Sequence, residues 1–86
     1  SKRQWESYST EREGLIMSLS MMSVGESGRI IEFRGKDSMK RHLQDIGFIK
    51  GEKIEVVGEN QSGLILLVKG VKIALNRGLA SLIVVN

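Results

Sequence analysis

The sequence predicts a mainly β domain: a small, closed or nearly closed antiparallel barrel of about five strands, with one inserted α-helix and a short helical turn before the last strand. Three observations carry this expectation. Short aliphatic runs ("RIIEF", "KIEVV", "LILLV", "VKIAL" and "SLIVV") recur at close spacing. Turn formers, mostly glycine-bearing, separate them. Between the first two runs, Met39, Leu43 and Ile46 fall at i, i+4 and i+7, the single apolar stripe of a helix lying on a sheet.

Length limits the options further. Eighty-six residues hold one domain, and a chain of this size hides only about 60–65% of the surface that its unfolded form exposes. There is no cysteine and one histidine, so neither a disulfide nor a structural zinc site within the chain can supplement the core. The core must come from the 41% of residues that are apolar, or from a partner's surface. An absence of cysteine is compatible with a reducing cytosol.

Each element follows from local chemistry. Residues 1–16 read as a polar amino-terminal extension, expected to be flexible, with docking of Trp5 and Tyr8 on the domain or a partner as the alternative. Residues 17–86 form the barrel. The apolar stretch Leu15–Met22, rich in methionine, is expected to cover one barrel end. Gly25 and Gly28 bracket a turn, and "RIIEF" is the first long strand, with Ile31 and Phe33 on one face and Ile30 on the other. Gly35 ends it. Asp37 or Ser38 is expected to cap the helix, and Gly47 to turn the chain past its end so that Phe48 folds back on Leu43. So short a helix depends on packing against the sheet. Gly51 stands where "IKGE" needs positive φ for a type II turn. In "KIEVV", Ile54 and Val56 share a face. "ENQSG" is a loop, Lys69-Gly70 suits a tight two-residue hairpin, and "NRGLA" has room for one helical turn with Asn76 as its cap.

No catalytic apparatus is visible, and the chain reads as a non-enzyme. No serine sits in a strand-to-helix glycine elbow beside a base, and the glycine spacing matches neither the dinucleotide fingerprint nor a P-loop. His42 and Asp45 lie one turn apart beside the apolar stripe, which makes them a surface pair; a proton-transfer or metal-ligating pair is the sharper alternative. A transition-metal site would need ligands from another subunit, so no cofactor and no metal site is assigned to the chain alone.

The formal charge is +3, with 13 basic and 10 acidic residues mixed along the chain and no basic run longer than two. That pattern is a solvated surface, and no nucleic-acid partner is expected. No stretch approaches the roughly eighteen apolar residues of a membrane span, and the polar start lacks the apolar middle of a signal peptide. A cytoplasmic location without direct membrane insertion is expected. What remains is surface. "LILLV" and "LIVV" are apolar on both faces, and Lys40, Arg41 and Gln44 line the helix's polar side, where an acidic or polar partner could meet them.

Three segments, "MSLSMMSVGESGRI", "HLQDIGFIKGEKIEV" and "VKIALNRGLASLIVV", together and in this order resemble the FeoA family, small cytosolic accessory proteins of bacterial ferrous-iron uptake. Leu43, Asp45, Gly47 and Gly51 match the family's leucine-aspartate-leucine-glycine turn. Ala74, Leu75, Ala80 and Ile83 match its closing segment. Lys50 departs from a frequent proline, and Asn76 and Gly78 stand where charged residues are common. The resemblance implies an SH3-like barrel that binds the membrane ferrous iron transporter, whose cytosolic part carries a GTP-binding domain, and that modulates its GTP-dependent transport. The alternative is a stand-alone regulatory barrel related to the carboxy-terminal domain of metal-dependent transcriptional repressors, contacting a regulator or nucleic acid. A homo-oligomer, including one bridged by metal at His42 of two or more chains, is left open.

Overall fold

The computed structural model describes residues 16–86, so Trp5, Tyr8 and the reading of the amino-terminal extension lie almost wholly outside it. The elements run β1 (Met17–Ser18), a 3-10 turn (Leu19–Met21), β2 (Ser27–Phe33), α1 (Asp37–Ile46), β3 (Lys53–Glu59), β4 (Gly63–Val68), β5 (Val71–Asn76), α2 (Arg77–Ala80) and β6 (Ile83–Val85). The six strands form one antiparallel sheet in the order β1-β6-β2-β3-β4-β5. The five predicted strands are present; the addition is β1, two residues that pair with Val84 and Val85. Among the described residues, β1 and β5 pair neither with each other nor with a further strand, so the curled sheet keeps two edges.

β2 joins the halves of the sheet. Its first residues, Ser27 to Arg29, pair with β3, and Ile30 to Phe33 pair with β6. A register shift between Ile30 and Glu32 marks a bulge, and it corrects the expected facing of this strand. Ile30 and Phe33 are both buried, while Ile31, the extra residue, is only half-buried. Strict alternation fails because the bulge adds one residue between the two inward side chains. Gly28 lies inside β2 rather than in the preceding turn. A Cβ there would sit 2.8 Å from the Asn86 carbonyl oxygen, so β2 and the chain end approach as they do only because the residue is glycine.

The amino-terminal apolar stretch divides between two environments. Leu19 and Met22 are buried in the core, whereas Ile16 and Met21 face solvent. At the other end of the chain, β6 lies between β1 and β2, and Ile83, Val84 and Val85 are all buried. In β4, Leu64, Leu66 and Val68 point into the core and Ile65 and Leu67 remain half-buried on the outer face. The hairpin at Lys69-Gly70 forms as expected, with φ of +52° and +79°, the positive pair of a type I′ turn.

The helix start differs from the expectation that Asp37 or Ser38 would cap it. Lys36 is the N-cap and makes no side-chain cap bond, so α1 begins uncapped with Asp37 in its first turn, where a carboxylate favours the helix dipole. Its other end is as predicted. Gly47 has φ of +126°, its N–H donates to the carbonyls of Leu43 and Gln44, and the Phe48 N–H donates to Leu43 O at 3.0 Å. Leu43 and Phe48 are both fully buried. Gly51 then turns the chain at φ of +89°, with the Glu52 N–H donating to Ile49 O, and its own N–H donates to Ile30 O at 2.8 Å.

Two glycines separate conformational from steric cost. At Gly51 a Cβ meets open space, so Gly51→Ala should cost only the strain of positive φ, about 1–2 kcal/mol. At Gly63 a Cβ would run into the backbone of Leu75 and Asn76 on the paired strand, and Gly63→Ala should cost at least about 3 kcal/mol. Urea denaturation midpoints of the two variants give the test; equal shifts would contradict it.

Candidate functional site

α1 and α2 stand on either side of an open groove of about 460 Å³, lined by Met39 and His42 from α1, by Asn76, Gly78 and Leu79 around α2, and by Leu82 ahead of β6. The apolar stripe of α1 explains one wall. Leu43 fills the core, Ile46 packs at its edge, and Met39, one turn earlier, is half-buried. On the other wall, Ala80 is fully buried and anchors α2, leaving Leu79 and Leu82 half-buried against the core. The groove therefore has an apolar floor continuous with the protein interior and a polar rim of His42 and Asn76.

α2 holds its position through its cap. Asn76 Oδ1 accepts from the Leu79 N–H at 2.8 Å, and the Ser81 hydroxyl donates to Gly78 O at 2.6 Å. Arg77 pairs with Glu59 at 3.1 Å, tying α2 to the end of β3. A Cβ at Gly78 would meet only Asn76 Oδ1, at 3.3 Å.

The residues singled out from sequence fall elsewhere on the same helix. At 3.6 residues per turn, Lys40, Arg41 and Gln44 lie on the side of α1 away from His42. Lys40 is half-buried and the other two are exposed. Of the residues matched to the family's turn, Leu43 is core, Gly47 and Gly51 have positive φ, and Asp45 is exposed. His42 and Asp45 are both exposed, and no ion pair joins them. Among the described residues, no three or more His, Asp or Glu side chains are grouped to hold a metal ion, and no helix is long and apolar enough to cross a membrane. The groove itself was missed. The usable signals were His42 flanking the helical stripe and Asn76-x-Gly78 at the head of the second helix, but nothing in the linear order says that these face each other.

A family model described as the FeoA domain matches residues 17–86. The chain belongs to the FeoA family. A direct comparison with curated proteins finds no match. Among solved structures, the chain is similar to an iron uptake regulatory protein, FeoA, at 29% identity and a TM-score of 0.77, covering 84% of this chain and 96% of that one. It is also similar to Stenotrophomonas maltophilia FeoA complexed with zinc, described as a procaryotic SH3 domain protein, at 26% identity and a TM-score of 0.66, covering 81% and 89%. A manganese-dependent transcriptional repressor shares the fold at 16% identity and a TM-score of 0.75, over 81% of this chain and 40% of that one. The SH3-like barrel expected from the resemblance is thus present. FeoA is a small accessory domain of ferrous iron transport systems and not a known enzyme family.

Loss of the cap should loosen one wall of the groove. Asn76→Ala is expected to lower stability by about 1 kcal/mol, and Asn76→Asp, which keeps an acceptor, by much less. Thermal melts, with amide exchange at Leu79 as the local readout, check this; an unchanged Leu79 exchange rate in Asn76→Ala would refute the role given to the cap.

Proposed function

We propose that this FeoA protein is a non-catalytic, cytoplasmic accessory protein that binds the membrane ferrous iron transporter and modulates its GTP-dependent transport. The groove between α1 and α2 is the contact site in this reading. Its support is a single observation: an apolar floor of Met39, Leu79 and Leu82, open to solvent, on a domain of the ferrous iron transport family. Apolar surface left open beside ordered helices is the usual form of a groove that receives a partner's side chain or helix. Lys40, Arg41 and Gln44, on the other side of α1, add two positive charges and an amide that a partner reaching past the groove could meet. The barrel domain spans residues 17–86, and residues 1–16 are an extension to it.

The test is capture of the detergent-solubilised full-length transporter, and of its isolated cytosolic GTP-binding domain, by the full chain. Binding to one of them is expected. Leu79→Asp, which puts a charge on the groove floor, should lower affinity at least about tenfold. Lys40→Glu should chiefly slow association. Failure of the unaltered chain to bind either form would end this proposal.

The fold shared with the manganese-dependent repressor supports a second reading, a regulatory barrel that contacts a regulator or nucleic acid. That reading expects binding to duplex DNA that falls steeply as salt rises. Fluorescence anisotropy with labelled duplex, across a salt series, distinguishes the two; the transporter reading expects no binding at physiological salt.

A further inference from the structure

One end of the barrel gathers charge that the sequence scatters. The turn between α1 and β3 carries Lys50 and leads directly into Lys53. Arg29, from β2, lies opposite Lys53 in the strand register, and its Nη1 donates to the Gly51 carbonyl at 3.0 Å, which fixes the guanidinium at the same turn. From the β4–β5 hairpin, Lys69 Nζ reaches Glu52 Oε1 at 3.2 Å. Three segments far apart in sequence therefore meet at this end, with four cations among the described residues and, at the turn itself, the carboxylate of Glu52. The next carboxylate, Glu55, lies two register positions along the sheet, opposite Ser27.

Two features set this end apart from an ordinary solvated surface. Like charges directly opposite on paired strands, as Arg29 and Lys53 are, oppose folding. Lys69 also holds φ of +52° at a hairpin position where asparagine or glycine is favoured. Both arrangements act against stability and concentrate positive charge. Each turn, moreover, carries an exposed aliphatic side chain beside its lysine: Ile49 is 47% exposed next to Lys50, and Val71 is 58% exposed, between Gly70 and Lys72. These are two of the five large apolar residues most exposed among those described.

We propose that this end of the barrel docks on an anionic lipid surface. Lysines arranged around protruding aliphatic side chains suit a bilayer of anionic headgroups. The cations meet lipid phosphates, and Ile49 and Val71 enter the boundary between headgroups and acyl chains without any segment crossing the membrane. Nucleic acid fits less well, because among the described residues no exposed aromatic side chain stands beside these cations to stack on bases. The surface lies on different residues from the groove between α1 and α2, so docking on lipid would leave that groove open to a protein.

Cosedimentation of the full chain with vesicles tests this, using phosphatidylcholine alone and phosphatidylcholine mixed with phosphatidylglycerol, at low and at physiological salt. Partitioning is expected only into the mixed vesicles, and less at the higher salt. Lys50→Ala and Lys53→Ala should each lower the partition coefficient about fivefold, and Val71→Ser should lower it several-fold, while Lys36→Ala should leave it unchanged. Thermal melts confirm that each variant is folded. Equal partitioning into both vesicle types, none into mixed vesicles at low salt, or no effect of Lys50→Ala and Lys53→Ala would overturn the proposal. So would duplex DNA binding as strong as vesicle binding and insensitive to Val71→Ser, which would make this a general polyanion surface. The vesicles contain no transporter, so the result is independent of the function proposed above.

Discussion

The fold turns on how the inserted helix is stopped. Leu43 and Phe48 are both fully buried, and the Phe48 N–H returns to the Leu43 carbonyl across Gly47, whose positive φ allows the chain to reverse there. α1 has ten residues, no side-chain cap at its start and a single apolar stripe, so it has little intrinsic stability apart from that packing. The same reversal hands the chain to Gly51, whose N–H bonds to Ile30 O and sets β3 beside β2. One short corner thus fixes the helix over the sheet, starts the central strand pair and places Ile49 and Lys50 on the outside. The groove and the basic end both depend on it.

The bulge in β2 has a comparable reach. By bringing Ile30 and Phe33 to the same interior, it lets one strand serve both halves of the sheet. β2 pairs with β3 along its first part and with β6 along its second. That division leaves β1, of two residues, and β5, of six, as the edges. β5 continues directly into α2 through the Asn76 cap, so the position of the groove's second wall follows from where the edge strand ends.

How much was legible varies element by element, for identifiable reasons. Ile54 and Val56 alternate ahead of the register shift that follows Val56 in β3, so period two placed them correctly. The reading of Ile31 failed because a bulge is a property of two strands, and β6 lies fifty residues away in the chain. Gly47, Gly51 and the Lys69-Gly70 turn announced themselves, since positive φ is a local demand that glycine meets locally. The helix cap was misplaced because Asp37 and Ser38 are both competent caps, while the actual boundary falls one residue earlier, at Lys36. In the candidate site, the helix was identified, but the groove on its other side was not. Lys40, Arg41 and Gln44 look like a contact face in isolation, and only the arrival of Leu79 and Leu82 beside Met39 makes the other side a groove.

The sequence alone determined the class of the fold, the single helix and its buried stripe, the turns, and membership of an accessory rather than a catalytic family. All of these rest on local periodicity, glycine stereochemistry or motif order, which survive without knowledge of neighbours. The tertiary structure decided the bulge, the two edges, the groove between the helices and the meeting of Arg29, Lys50, Lys53 and Lys69 at one end. Those features are juxtapositions of residues distant in the chain. Their charges and contacts acquire meaning only once hydrogen-bonded strand pairing has fixed which residues are neighbours.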